Sequence, residues 1–127
     1  MIPDQITEEV DALVTDGFAI DIAEESNWIN AVFHEYPVPP TYSKNQTELL
    51  IRLPVSYPNG HPDMFWTDVD LATKDGRKPK SADQIETYLG RQWRRFSWHP
   101  QKWNPGVDNL STYLEFVNTG LTKAAHP

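Results

Sequence analysis

Apolar residues recur at helical spacing near both ends of the chain. Near the start, Leu13 and Val14 lie three and four positions after Val10, which itself lies four positions after Ile6. This spacing predicts a short amphipathic helix that Asp4 or Thr7 caps and Gly17 ends. Near the end, the same spacing is found at Leu110, Leu114, Val117 and Leu121. It predicts a second amphipathic helix, with Asp108 as its cap.

Four short segments between these helices have the pattern of strands. They are residues 18–23, 28–33, 49–53 and 64–67. The first alternates apolar and polar residues and is joined to the second by the polar sequence EESN, which predicts a hairpin. Strands that follow one another, with helices before and after rather than between them, are typical of an α+β domain. We therefore expect a four-stranded antiparallel meander with flanking helices.

The region that follows the predicted strands is polar and harder to interpret. Ser81 is a candidate cap for a short helix that carries Ile85, Leu89 and Trp93, although Gly90 is unfavourable inside a helix. After it, residues 96–105 read FSWHPQKWNP and predict an irregular segment. No repeat or linker divides the chain, so we treat residues 1–127 as a single domain.

Charge and hydropathy restrict the class of partner. The net charge is −7 and the pI is about 4.9, which argues against nucleic acid or an anionic membrane as the main partner. Basic residues nevertheless cluster in two runs: Lys74, Arg77, Lys78 and Lys80, then Arg91, Arg94 and Arg95. These runs are typical of a solvated face and also suit an acidic protein partner. The sequence has no apolar run of transmembrane length and no signal-peptide pattern, so we expect a cytoplasmic protein.

The residue types that usually bind metals or cofactors do not form a recognised pattern. The chain contains no cysteine, which excludes disulfides and thiolate ligands. Its four histidines lack metal-ligand spacing, and the aspartates between positions 63 and 75 do not match a calcium loop. No phosphate-binding glycine loop occurs. We therefore expect no metal and no cofactor.

A proline-rich connection, PVSYPNGHP, joins the third and fourth predicted strands. Pro54, Pro58 and Pro62 each lack a backbone donor and fix a φ angle, so this loop is expected to be rigid. Tyr57 precedes Pro58, a context in which a cis peptide bond costs little.

This loop, with the strands around it, is similar to a known fold. The sequence LLIRLPVSYPNGHPDMFW, followed by KWNPGVDNLSTYL with its W-x-P turn at Pro105, resembles ubiquitin-conjugating (UBC) enzymes, over about residues 17–121. The wider pattern resembles the prokaryotic family E of that superfamily. The resemblance implies a UBC-like fold in which residues 94–105 run irregularly beside the proline-rich loop. It also implies three kinds of partner: a ubiquitin-like protein, an adenylating activating enzyme and, in some pathways, a deconjugating metallopeptidase.

The resemblance places a thioester-forming cysteine at about residues 94–98, where this chain reads RRFSW. A thiolate suits that chemistry because it attacks an adenylate readily and leaves a thioester that an amine can still attack. Ser97 is the one hydroxyl there, and His99 lies two residues further on, where an extended backbone points both side chains the same way. Ser97 with His99 as base, and Asn104 or the backbone near the oxyanion, is therefore one hypothesis for catalysis.

Our first hypothesis is a cysteine-less UBC-like protein that binds the modifier or its activating enzyme. The candidate binding residues are Arg91, Arg94, Arg95, Trp98 and Trp103. The tryptophans have a second interpretation, as a structural plug that packs the irregular segment onto the sheet. Three alternatives stay open: acyl transfer through Ser97, a form of the chain in which an original cysteine has been replaced, and a purely structural domain.

Overall fold

The computed structural model describes residues 2–127, which form two helices and six strands. In chain order these are α1 (Asp4–Thr15), β1 (Ala19–Glu25), β2 (Trp28–Pro37), β3 (Gln46–Pro54), β4 (Phe65–Thr67), β5 (Gln84–Tyr88), β6 (Arg91–Phe96) and α2 (Leu110–Ala124). One sheet has the order β1-β2-β3-β4-β6-β5, and all its neighbouring strands are antiparallel. The α+β class is confirmed, whereas the prediction of four strands was too low by two.

The first hairpin forms where the sequence predicted it. Glu25 of β1 pairs with Trp28 of β2, so Ser26 and Asn27 alone make the turn. Both have positive φ, at 54° and 67°. Two successive residues with positive φ suit the right-handed twist of the strands on either side, which explains the tight connection.

The predicted helix after Ser81 was wrong, because this region is the β5–β6 hairpin. Leu89 and Gly90 form its two-residue turn, with φ of 54° and 74°. The four-residue spacing of the apolar side chains suggested one helix face. In the strands, however, Ile85 is 41% exposed and Trp93 is 1% exposed, so the two do not share an environment.

The capping residues also differ from the sequence predictions. Pro3 is the N-cap of α1 and no side chain caps that end, so neither Asp4 nor Thr7 has the predicted role. Gly17 does follow the helix, with a φ of 110° that favours glycine.

The cap of α2 is one residue later than predicted. Asn109 accepts a hydrogen bond from the Thr112 N–H, and Thr112 Oγ1 accepts one from the Asn109 N–H, which makes a capping box. Asp108 instead accepts a hydrogen bond from the Asn104 N–H at 2.7 Å. Neither helix in residues 2–127 has the length and apolar character that a membrane span requires.

The two faces of the sheet have different surroundings. On one, which we call the covered face, strand residues and both helices form a single apolar core that includes Ile29, Phe33, Leu49, Ile51, Phe65, Phe96, Val117 and Leu121, each fully buried. The other, which we call the open face, holds a smaller cluster of Leu50, Trp66 and Trp93. It also carries the side chains of His34, Arg52 and Glu86. Successive strand residues point to opposite faces, which is why Leu50 lies apart from its neighbours Leu49 and Ile51.

Candidate functional site

The proline-rich loop connects β3 to β4, as the sequence predicted, and it is tied to both helices. The Tyr57 hydroxyl donates to Glu9 Oε1 of α1 at 2.5 Å, and the same oxygen accepts the backbone N–H of Leu110, the first residue of α2, at 2.8 Å. Burial, followed by the hydrogen bond with Glu9, raises the pKa of Tyr57 above its ordinary value, so the phenol keeps its proton and donates. One carboxylate thus holds three elements together.

The irregular segment lies beside this loop, as expected, although it begins later than predicted. Trp103 donates its indole N–H to the Pro58 carbonyl at 2.8 Å, and its ring lies 5.8 Å from those of Tyr57 and His61. The Tyr57–Pro58 peptide bond is cis. Residues 94–96 belong to β6, so the irregular stretch starts at Ser97.

The turn at Pro105 follows directly. The Asn104 carbonyl accepts the N–H groups of Val107 at 2.9 Å and Asp108 at 2.7 Å, which closes the turn that leads into α2. The Asn104 side-chain oxygen accepts the Gly106 N–H at 3.0 Å. The side-chain nitrogen of Asn104 is therefore the group that could donate a hydrogen bond to an oxyanion.

The window where the resemblance places a nucleophilic cysteine is filled by structural side chains. Phe96 is fully buried and stacks on Phe65 with ring centroids 4.8 Å apart. Arg94 donates to the Ala82 carbonyl at 2.6 Å and twice to the Val69 carbonyl, at 3.1 and 2.8 Å. Because both carbonyls belong to the connection between β4 and β5, Arg94 fixes that connection to β6.

Ser97 and His99, the predicted catalytic pair, have different partners. Ser97 Oγ accepts a hydrogen bond from Arg95 Nε at 3.0 Å, and its N–H donates to the Ser81 carbonyl at 2.8 Å. His99 Nδ1 lies 2.8 and 3.0 Å from the two carboxylate oxygens of Asp63. Within residues 2–127, no hydrogen bond joins Ser97 to His99. A catalytic role for the pair stays a prediction.

Two of the three arginines of β6, Arg91 and Arg95, pair with acidic residues that the sequence did not connect to them. Arg95 Nη1 lies 2.9 Å from Glu86, which also accepts the Trp66 indole N–H at 2.9 Å and the Tyr88 hydroxyl at 3.0 Å. Burial raises the pKa of Glu86, but these hydrogen bonds and the charge of Arg95 outweigh it, so the pKa is lowered and the carboxylate stays ionised.

Arg91 is also paired. It lies 2.9 Å from Asp68 and 3.9 Å above the ring of Trp93. Burial raises the pKa of Asp68, but the hydrogen bonds from Lys44 and Arg91 outweigh burial, so the pKa lies below its ordinary value. The basic run in β6 is therefore largely neutralised on the open face.

The three tryptophans of this region pack internally, which favours the plug interpretation. Trp93 is 1% exposed and donates to the Tyr88 carbonyl at 3.1 Å. Trp98 is half-buried and donates to the Lys80 carbonyl at 3.0 Å. Trp103 is half-buried beside the proline-rich loop. A binding role for Trp98 and Trp103 stays a prediction.

The aspartates around β4 each have a side-chain partner. Asp68 and Asp70 form ion pairs with Lys44, and Asp75 with Arg77, whereas Asp63 is hydrogen-bonded to His99. The hydrogen bond from Thr73, followed by that from Arg77, lowers the pKa of Asp75 to about 2. Among residues 2–127, no three acidic or histidine side chains form a group that could hold a metal.

Two features of the open face were missed by the sequence analysis. His34 lies between two carboxylates, with Nδ1 2.6 Å from Glu48 and Nε2 2.7 Å from Asp21. The Glu48 hydrogen bond, then the Asp21 one, raises the pKa of His34. Arg52, a charged residue inside the apolar run LLIRL, lies between the rings of Trp28 and Tyr88. A cation in an otherwise apolar strand was the signal that could have identified it.

The comparison with protein families agrees with this geometry. A family model described as Prokaryotic E2 family E, where E2 denotes a ubiquitin-conjugating enzyme, matches residues 6–124. The chain belongs to prokaryotic E2 family E. Both motifs that carried the resemblance, the loop at 54–62 and the turn at Pro105, lie inside the matched range of family E. No curated protein and no solved structure matches the chain.

Proposed function

We propose that this chain is a non-catalytic member of prokaryotic E2 family E that binds a ubiquitin-like modifier, its activating enzyme, or both. The observation that carries the proposal is a family match over residues 6–124 in a chain without cysteine. Carrying a modifier as a thioester requires a thiolate, which this sequence cannot supply.

The packing of the nucleophile window supports the proposal. Phe96 is part of the covered core, and the Arg94 guanidinium donates its hydrogen bonds to the backbone carbonyls of Val69 and Ala82. Ser97 is half-buried and accepts its hydrogen bond from Arg95. These side chains stabilise the scaffold at the place where a conjugating enzyme would be reactive.

The surface that we propose for the partner is the segment of residues 91–103, which comprises β6 and the irregular stretch after it. His99, whose side chain is 60% exposed, lies in the irregular stretch, and Arg91, whose side chain is 41% exposed, lies at the start of β6. Lys102 is exposed in the same segment. The Lys102 ammonium suits an acidic patch on a partner, although the chain as a whole carries −7, and Arg91 would exchange Asp68 for a carboxylate of that patch.

The experiment that tests the proposal is a calorimetric titration of this chain with a ubiquitin-like protein and an adenylating enzyme from the same organism. Binding to at least one is expected. The double variant His99→Ala and Arg91→Ala should weaken it by about tenfold, a typical loss when contacts at an interface centre are removed. Lys123→Ala, at the far end of α2, is the control and should leave affinity unchanged. No measurable affinity for either partner would overturn the proposal.

A second candidate is acyl transfer through Ser97, and one observation favours it: His99 Nδ1 is held by Asp63, as a carboxylate holds the base of many hydrolases. Ser97 Oγ would attack the carbonyl carbon of the adenylated modifier. The bond to AMP would break, AMP would leave with the electron pair, and His99 would take the hydroxyl proton. The oxyester formed should survive thiol reductant, break in mild alkali or hydroxylamine, and be absent in Ser97→Ala.

A further inference from the structure

Arg52 of β3 is held in a fixed position on the open face. Its guanidinium lies 3.8 Å from the ring centroid of Tyr88 and 4.9 Å from that of Trp28. Its Nε donates to Asn30 Oδ1 at 3.0 Å. Asn30 is itself fully buried and donates to the Ala23 carbonyl at 3.3 Å. Two rings and one buried amide therefore orient the guanidinium before any ligand arrives.

The terminal nitrogens of Arg52 have no protein acceptor within residues 2–127, and it forms no ion pair there. The other four arginines each use a terminal nitrogen: Arg77 toward the Ala125 carbonyl, Arg91 toward Asp68, Arg94 toward the Ala82 and Val69 carbonyls, and Arg95 toward Glu86. No described buried side-chain nitrogen lacks a partner, so the Arg52 terminal nitrogens are open to solvent. They form a pre-oriented fork of donors.

This fork borders a pocket of about 170 Å³ on the open face. Its walls are the rings of Trp28, Trp66 and Tyr88, the Met64 side chain and the carboxylates of Asp63 and Glu86. Both carboxylates already have partners, because Glu86 forms an ion pair with Arg95 and Asp63 is hydrogen-bonded to His99. Arg52 is the cation at this pocket whose charge is not matched by an ion pair.

We propose that this pocket binds a single carboxylate carried by a peptide. A carboxylate matches the planar fork of a guanidinium with two parallel hydrogen bonds. The rings and Met64 give the apolar side chain beside that carboxylate a surface on which to pack. Asp63 and Glu86 repel a dianion more than a monoanion, so phosphate is disfavoured. The inference goes beyond the proposed function, since it requires neither the modifier nor the activating enzyme.

The test uses four probes and the native chain. N-acetylleucine, N-acetylleucinamide, acetate and inorganic phosphate are each titrated while the Arg52 Nε–H and the Trp28 and Trp66 indole N–H signals are followed by NMR. N-acetylleucine is expected to shift these signals to saturation, acetate to bind more weakly, and the amide and phosphate to cause little change. Equal shifts by N-acetylleucine and its amide would overturn carboxylate binding. Tighter binding of phosphate would overturn the preference for a carboxylate, and acetate as tight as N-acetylleucine would overturn the peptide source.

Two variants locate the interaction. Arg52→Lys keeps the charge but removes the fork, and we expect N-acetylleucine to bind about tenfold more weakly. Arg77→Gln, which removes an arginine that is paired with Asp75 on another part of the surface, is the control and should not change binding. Unchanged affinity in Arg52→Lys would overturn the site. If Arg52→Lys does not fold, the comparison between N-acetylleucine and its amide on the native chain decides alone.

Discussion

The covered and open faces of the sheet are stabilised in different ways. On the covered face, residues such as Phe33, Ile51 and Val117 are fully buried in one core shared by both helices. On the open face, the buried apolar cluster has three members, and charged side chains form ion pairs around it, such as Arg95 with Glu86 and Arg91 with Asp68. The covered face explains why the chain folds, whereas the open face carries the pocket for which we propose a ligand.

Within the window of residues 94–98, Phe96 belongs to the covered face. It points into the covered core, and its aromatic neighbour Phe65 comes from the strand beside it. Phe96 therefore contributes to stability.

The largest expected effect is the loss of a covered-face ring. Phe96→Ala should lower the free energy of unfolding by about 3–5 kcal/mol, because it removes a large buried side chain and leaves a cavity. Urea denaturation followed by fluorescence measures the change. Ile85→Ala in the neighbouring strand is the control, since Ile85 is 41% exposed, and it should cost less than about 1 kcal/mol. Similar losses in the two variants would show that the window is not part of the core.

A smaller loss is expected at the junction of the proline-rich loop with the helices. Glu9→Ala leaves the Tyr57 hydroxyl and the Leu110 N–H without their acceptor, which should cost about 1–3 kcal/mol. Thermal denaturation measures it against Glu8→Ala, an exposed neighbour on the same helix that should change little. Equal stability of the two variants would contradict the role of Glu9 as a shared acceptor.

On the open face, Glu86→Gln should cost about 1 kcal/mol at neutral pH, because the amide is a weaker acceptor for Trp66, Tyr88 and Arg95. The folded-state pKa of Glu86 lies below its ordinary value of 4.5. Its contribution is therefore present above pH 4.5 and is lost as the pH falls through the folded-state pKa. Urea denaturation of both proteins over this range should show the difference shrinking with acid. A difference that does not depend on pH would contradict an ionised Glu86.

The smallest effect is expected at His34, which is partly exposed. Its folded-state pKa is raised above 6.5, so its pairing with Glu48 and Asp21 stabilises the fold fully below pH 6.5 and less as the pH rises through the raised value. His34→Gln should cost less than about 1 kcal/mol, and mainly on the acidic side. Melting temperatures of His34→Gln and of the native chain, measured below and above pH 6.5, test this prediction, with His126→Gln as the exposed control. A larger loss at alkaline than at acidic pH would contradict this sign.

The sequence predicted the covered face better than the open face. The spacing of Ile6, Val10 and Leu13 predicted α1 because burial on one side of a helix imposes that period. The β5–β6 hairpin was missed because its buried open-face residue, Trp93, stands among charged residues and happens to lie four positions from Leu89.

The partners within the candidate site were the least predictable part. Arg95 pairs with Glu86 of β5, and Arg91 pairs with Asp68, the residue that follows β4. Such pairs depend on strand order, which local patterns do not contain. The loop around Tyr57 was predictable from its prolines and from the family resemblance. Its bond to Glu9, 48 residues away, was not.

The most direct test of the central claim is the intact mass of this chain after incubation with a ubiquitin-like protein and an adenylating activating enzyme from the same organism and Mg-ATP, without reductant. We expect no added mass, together with co-elution of the chain with one of the two partners in size-exclusion chromatography. An added mass equal to one modifier, absent in Ser97→Ala, would contradict a non-catalytic role and assign Ser97 as an acyl carrier.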